Sequence, residues 1–327
     1  MQSYYKHFDP IWPGYDTGDY IGSGSYGDVW ELRDLKDPAR SDEVVKEVRI
    51  PPASSGGLEE ARLQGLDYEG AKIFFEEMKQ RALDEVTIMQ MLSDCQSIVH
   101  ISDCAVRELD KSDGEVGWVI FIRMERLIPF KEKLISEGIT VPELINLGID
   151  LCRALEACEE KGILHRDIKP ENLFYARETG LFKLGDFGVS CFLSRPTQEK
   201  GLPGTLTYMS PQIFQGQPSK TADDLYALGM VIYKLLNDNR VPFLPPYPEP
   251  FTPAQRDEAL RIRLRGARVP MPSALIPSAV RLTLRIDKES LALLTRLADL
   301  AVKAVDPDPN ERFSSAAAFR TELEAMK

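Results

Sequence analysis

The sequence predicts an α+β fold in which a small sheet-bearing part precedes a larger, mostly helical one. Three observations carry this. Strand-like runs, GDVWEL at 27–32, EVVKEVRI at 43–50 and two more near 98–107 and 117–124, all fall before residue 126. Apolar residues at helical spacing dominate afterwards, over 142–161, 221–236, 288–305 and 314–326. Strands gathered at one end and helices at the other favour segregated layers over an alternating parallel sheet. Third, 327 residues that are 43% hydrophobic and 28% charged can bury a sizeable core.

Composition also excludes. A net charge of −11 argues against nucleic acid or an anionic membrane as partner. The N-terminus, MQSYYKHFDP, lacks the apolar core of a signal peptide. The most apolar strand-like run, Trp118 to Ile122, is too short to cross a bilayer. A cytoplasmic location with no membrane segment in this chain is therefore expected. Five cysteines (95, 104, 152, 158, 191) form no CxxC pair and read as reduced, buried thiols. No repeat, heptad run or low-complexity tract is evident.

Residues 1–16 show aromatics and two prolines without periodicity, a short lead-in. IGSGSYGDVW follows at 21–30, with Gly22, Gly24 and Gly27 in G-x-G-x-x-G spacing and Val29 two places on. Such glycines let a strand–turn–strand close over phosphates, with Tyr26 at the loop tip. Dinucleotide-binding folds share the spacing but place a helix next; here GDVWEL alternates as a strand. Lys46 stands amid valines in EVVKEVRI, which is costly unless its charge is used. The competing reading is an edge lysine guarding a strand. PPASSGG is a breaker-rich loop, and EGAKIFFEEMKQRALDEVTIMQML reads as one long helix, with Ala71, Phe74, Phe75, Met78, Ala82, Val86, Met89 and Leu92 on its apolar positions.

Past the turn LDKSDGE, MERLIPF at 124–130 leads into the helical part. The 142–161 helix has Pro142 in its first turn and Gly162 at its stop. Thr252 before Pro253 reads as a helix cap. The proline-rich LPPYPEPF that precedes it is a rigid connector, and the basic run RIRLRGAR, with no interleaved aromatics, is a solvated surface.

Chemistry concentrates in HRDIKPEN at 165–172 and DFG at 186–188. Asp167 is placed to accept a proton from a hydroxyl, and Lys169 to hold a transferring phosphoryl group. Asn172 and Asp186 are oxygen ligands for magnesium. Phosphoryl transfer needs such a set because it is mostly positioning and charge neutralisation. Eight matched residues followed by DFG form a specific signal. With them the chain resembles the eukaryotic-type protein kinase family, in its Ser/Thr branch, and the motif order matches that family's known series.

The resemblance covers about residues 17–327. It implies a two-lobed kinase fold, with a sheet-plus-helix lobe over about 17–126 and a helical lobe over about 127–327. It implies ATP and Mg2+ as cofactors and a Ser or Thr hydroxyl of a protein as acceptor. Lys46 would contact the phosphates and pair with a helix glutamate: Glu85 by its EVTIMQML context, with Glu77 and Glu76 as fallbacks. Ile21, Gly22, Gly24, Gly27, Val29 and Val44 would line the nucleotide, Val44 replacing the family's usual alanine. Met124 would be the gatekeeper, Glu125 and Leu127 the hinge, and Phe174 the floor under the adenine. His165 would pack beneath Phe187, and Asp224 would receive backbone N–H groups from the catalytic loop.

The segment 189–212 matches an activation segment, with Ser190, Ser194 and Thr197 as hydroxyls open to phosphorylation. Cys191 stands where a second cation is common, which weakens that switch. Thr205 in GTLTYMSPQ would bond Asp167 and Lys169. Gln212 departs from a glutamate that normally pairs with an arginine, here Arg312, so a softer C-terminal lobe is expected. Glu171 suggests a preference for basic substrate residues. The stretch between Lys46 and Glu85 exceeds the usual family length by very roughly 20 residues, as surface insertions can. A pseudokinase would usually lack the lysine, the catalytic aspartate or the metal aspartate, and all three are present. Small-molecule kinases generally lack Lys169 and the GT…SP segment. Oligomeric state stays open, as does whether the chain is part of a longer membrane-anchored protein.

Overall fold

A computed structural model describes residues 4–8, 11–24, 27–37, 42–52, 57–109, 117–188, 190–192, 206–275 and 281–327. The chain divides into two compact units, Met1–Asp94 with Val99–Arg126, and Cys95–Ile98 with Leu127–Lys327.

The first unit holds a five-stranded antiparallel sheet and two helices: β1 (Tyr15–Gly24), β2 (Gly27–Asp34), β3 (Glu43–Ile50), α1 (Gly57–Leu63), α2 (Tyr68–Met91), β4 (Ile101–Glu108) and β5 (Trp118–Glu125). Strand order is β1-β2-β3-β5-β4. Opposite faces of β3 do different work because side chains alternate along a strand. Lys46 meets Glu85 of α2 on one face. On the other, Val45 packs with Trp30, Leu32, Val119 and Phe121.

That second face is covered by the segment expected to be a mere lead-in. Tyr5 is fully buried and Trp12 nearly so, both within this cluster. The Glu47 carboxylate accepts the backbone N–H of Tyr5 at 3.0 Å and of Tyr4 at 3.2 Å. The long helix begins where Asp67 caps the N–H of Gly70 at 2.8 Å. One expectation fails nearby: Phe74 is 46% exposed rather than packed. The short helix α1 occupies Gly57–Leu63, ahead of the long one.

The second unit begins with β6 (Ile128–Pro129), α3 (Phe130–Ser136), β7 (Ile139–Thr140), α4 (Val141–Glu160) and β8 (Ile163–Leu164). It continues with β9 (Leu173–Ala176), β10 (Leu181–Leu184), β11 (Cys191–Phe192), α5 (Pro211–Phe214), α6 (Thr221–Leu236), α7 (Pro253–Leu264), β12 (Leu284–Arg285), α8 (Leu291–Ala304) and α9 (Ala316–Glu324). α4 packs against α6, α9 and β10, and α6 against α8. At Gly229 of α6 a Cβ would lie 2.6 Å from Cβ of Ala304, so glycine permits the α6–α8 approach. Helix ends follow local chemistry: Thr140 and Glu143 form a capping box at α4, as do Thr252 and Gln255 at α7. Gly162 and Gly266, just past the ends of α4 and α7, adopt φ of +67° and +93°.

One basic residue departs from the solvated reading of RIRLRGAR. Arg263 is 1% exposed and donates to the carbonyls of Leu206 and Met209 at 2.5 and 2.7 Å and to the Tyr226 hydroxyl at 2.7 Å. Helical periodicity turns every third or fourth residue of α7 inward, and carbonyls of the 206–209 stretch supply the acceptors that a buried guanidinium needs. The free cysteines are also less uniform than expected: Cys152 and Cys158 are buried, whereas Cys95 and Cys104 are half-buried.

Candidate functional site

In the first unit, sheet register gathers the glycine-loop and lysine residues. Gly22 lies opposite Val29, Val29 opposite Lys46, and Val44 opposite Met124, which puts all five on one face of the sheet. Ile21 sits at the pairing irregularity between Tyr20 and Gly22 and is 45% exposed. Gly24 pairs with Gly27 to close the hairpin, and no helix follows. Gly27 answers to packing as well as to any ligand: its φ is +155°, and a Cβ would stand 2.2 Å from the Glu47 carbonyl oxygen. Gly22 has open space where a Cβ would go.

Lys46 Nζ lies 3.7 Å from Glu85 Oε1, with side chains 15% and 9% exposed. This selects Glu85 over Glu77, which is exposed. Glu125 lies at the end of β5; its N–H donates to the His100 carbonyl, and its carboxylate accepts the His100 N–H at 2.7 Å.

In the second unit the catalytic-loop groups converge. Lys169 Nζ donates to Asp167 Oδ2 at 2.5 Å. Asn172 Nδ2 donates to the same oxygen at 3.2 Å and to the Asp167 carbonyl at 2.8 Å. With its nitrogen so engaged, the Asn172 amide oxygen is the atom left for a hard cation, which takes oxygen ligands. The Gly185 N–H donates to the Asn172 carbonyl at 2.9 Å, which ties the DFG segment to the loop and sets Asp186 next to it. Arg166 and Asp186 have φ of +70° and +60°, a left-handed conformation that side chains seldom adopt.

Asp224 holds the loop in that shape. Its two oxygens accept the backbone N–H groups of His165 and Arg166, each at 2.8 Å. Burial pushes its carboxyl up to about 7, against those two N–H groups, which favour the anion. His165 is fully buried, and its ring meets that of Phe187 edge-on at 4.6 Å. Its Nδ1 accepts the Asp167 N–H at 3.3 Å and its Nε2 faces the Gly185 carbonyl at 3.2 Å, the pattern of a neutral ring. Burial accordingly holds its pKa below the usual histidine value.

Leu127 precedes β6, whose Pro129 lies opposite Phe174 of β9. Thr205, Tyr26, Ser194 and Thr197 lie outside the described residues. Ser190 Oγ donates to the His165 carbonyl at 3.2 Å. Gln212 does pair with Arg312, as a neutral acceptor at 2.6 Å. Glu171, read as a lure for basic residues, is already held by Lys131 at 2.6 Å. Among the described residues, no cluster of three or more His, Cys, Asp and Glu could hold a metal alone. A cation here would complete its shell from phosphate and water, as magnesium commonly does. No helix among the described residues is long and apolar enough to cross a membrane.

Residues 70–323 match the family model described as protein kinase domain, a span that starts after the glycine loop and Lys46. The chain is 34% identical over 145 residues to a probable serine/threonine-protein kinase PknB of Corynebacterium glutamicum, covering 43% of this chain and 22% of that one. It is 32% identical over 190 residues to serine/threonine-protein kinase Pkn1 of Myxococcus xanthus, covering 55% of this chain and 24% of that one. With serine/threonine-protein kinase PknB of Mycobacterium tuberculosis it shares 25% identity over 317 residues, 94% of this chain and 42% of the relative, so that alignment includes most of the first 69 residues. The chain thus spans less than half the length of these relatives. With the loop geometry above and a match over most of its residues, the chain belongs to the protein kinase domain family, in the eukaryotic-type serine/threonine branch that has bacterial members.

Proposed function

We propose that this chain transfers the γ-phosphoryl group of ATP to Ser or Thr hydroxyls of a protein, in the cytoplasm. The observation that carries the reading is the cluster of Lys169 and Asn172 on the Asp167 carboxylate, in a loop clamped by Asp224. A carboxylate held by two donors is fixed in direction, as a group that orients a hydroxyl and takes its proton must be. Lys169 then has a second task, to balance charge on the phosphoryl group as it leaves ATP. Lys46, steadied by Glu85, grips the remaining phosphates, and the glycine hairpin offers them backbone N–H groups. Asn172 and Asp186 would hold Mg2+, which when bound neutralises phosphate charge. Thr205 is assigned to contact Asp167 and Lys169, and Val44, Met124, Glu125, Leu127 and Phe174 to the adenine. Free cysteines at 95, 104, 152 and 158 fit a reducing compartment supplied with ATP.

Mass spectrometry after incubation with Mg·ATP tests this. Phosphate on Ser or Thr of the chain itself or of an added acceptor protein is the expected result. ATP consumed with label only on small metabolites would contradict it.

A further inference from the structure

Three cations near the catalytic loop, Lys131, Lys234 and Arg256, are left unused by the function above. Glu171 shares the turn Pro170–Asn172 with the loop, and Lys131 holds its carboxylate at 2.6 Å, with the two side chains 56% and 44% exposed. A carboxylate already paired is a weak lure for a substrate cation. Behind it stands Lys234 of α6, whose ammonium donates to the Tyr208 hydroxyl at 2.8 Å and lies 4.7 Å from the centre of that ring. A phenol and a ring face accommodate the cation without neutralising it. The charges that act most on Lys234 include the Glu171 carboxylate and the cations Arg256, Lys131 and Arg263. Burial first, then those cations, push its pKa down to about 8, so it is still mostly charged at neutral pH. Arg256 is exposed on α7 and reaches the Thr207 hydroxyl at 3.4 Å. Tyr208, the phenol that Lys234 contacts, lines one cavity with Arg166, Asp167, Lys220, Asp223 and Asp224, which places it beside the residue assigned to the acceptor hydroxyl.

We propose that Lys131, Lys234 and Arg256 select acceptor peptides bearing Asp or Glu close to the phosphorylated hydroxyl, so that the chain favours acidic rather than basic sequences. The proposal rests on the protein kinase reading above and names its substrate class. An incoming carboxylate compensates charge that Glu171 alone does not, whereas an incoming Lys or Arg must compete with Lys131 for Glu171 and meets two further cations.

A positional scan tests it, with serine peptides carrying Glu or Lys at each flanking position, on the wild type and on the Lys131→Gln and Lys234→Met variants. The wild type is expected to turn over its best Glu peptide with kcat/KM about tenfold above the matching Lys peptide. Each variant should cut that ratio about threefold or more, Lys131→Gln by freeing Glu171. Lys131 is largely exposed, so its variant keeps the test alive if Lys234→Met fails to fold. A wild-type preference for Lys peptides, or a Glu preference unchanged in both folded variants, overturns the proposal while leaving the kinase reading intact. Absence of transfer to any peptide, together with no autophosphorylation, overturns the kinase reading and this proposal with it.

Discussion

Arg312 Nη2 donates to Gln212 Oε1 at 2.6 Å across one hundred residues of sequence. The same guanidinium donates to the Asp306 and Ala222 carbonyls at 2.7 and 3.2 Å, and Asp223 Oδ1 lies 3.9 Å away. Gln212 uses its other atom as well, its Nε2 donating to the Pro307 carbonyl at 2.8 Å. The neutral residue therefore closes a network that a glutamate would close only in part. Gln212→Ala should cost about 1–3 kcal/mol by leaving Arg312 and Pro307 short of partners. Gln212→Glu should fall within about 1 kcal/mol of wild type, since its added charge is offset by the lost Nε2 donor. Urea unfolding midpoints compare the two.

Arg263 ties α7 to the 206–209 stretch through two carbonyls and to α6 through the Tyr226 hydroxyl. Lysine keeps the charge but not the fork of donors, so Arg263→Lys should behave much like Arg263→Ala. Both should lose about 2–4 kcal/mol, the range for stranding several buried acceptors. Limited proteolysis should show faster cleavage near 206–210 in both, whereas wild-type rates in Arg263→Lys would mean that charge alone suffices.

His165 gives a pH signature. Its folded pKa lies below the unfolded value of about 6.5, so below that pH the unfolded chain takes up a proton that the folded chain refuses. Stability from this residue is therefore present above pH 6.5 and is lost as pH falls. Relative to His165→Gln, the wild type should lose about 1.4 kcal/mol per pH unit below 6.5. Subtracting the two unfolding free energies removes the opposing titration of Asp224. A difference that stays flat from pH 7 to 5.5 would show that His165 is protonated in the folded state.

Tyr5 anchors the N-terminal segment, with Trp12 and Phe121 as ring neighbours at 5.9 and 6.0 Å between centroids. Tyr5→Ala should destabilise the first unit by about 3–5 kcal/mol, the usual cost of removing a buried aromatic. Tryptophan fluorescence during thermal melting reads this directly, because Trp12 and Trp30 lie in the same cluster.

How far the sequence alone reached depended on the range of the interaction. The α6 helix was legible to the residue at 221–236, because apolar period is a local signal. The pairing of Lys46 with Glu85 was legible from residue type and sequence context. Tyr5 was not, since an aperiodic segment declares its burial only when a distant strand offers Glu47 and Phe121. Arg263 was missed for a similar reason: its partners Leu206, Met209 and Tyr226 lie 37 to 57 residues away. Glu171 was legible as an acid, but its pairing with Lys131 was not, because that partner comes from another element.

The most direct test of the account is phosphoryl transfer by wild type and by Asp167→Asn at equal thermal stability, followed with radiolabelled ATP and magnesium. Asparagine keeps the side-chain shape but cannot take the hydroxyl proton, so transfer to Ser and Thr should fall by about 10²–10⁴-fold. Labelling of Ser or Thr that persists undiminished in Asp167→Asn would contradict the account.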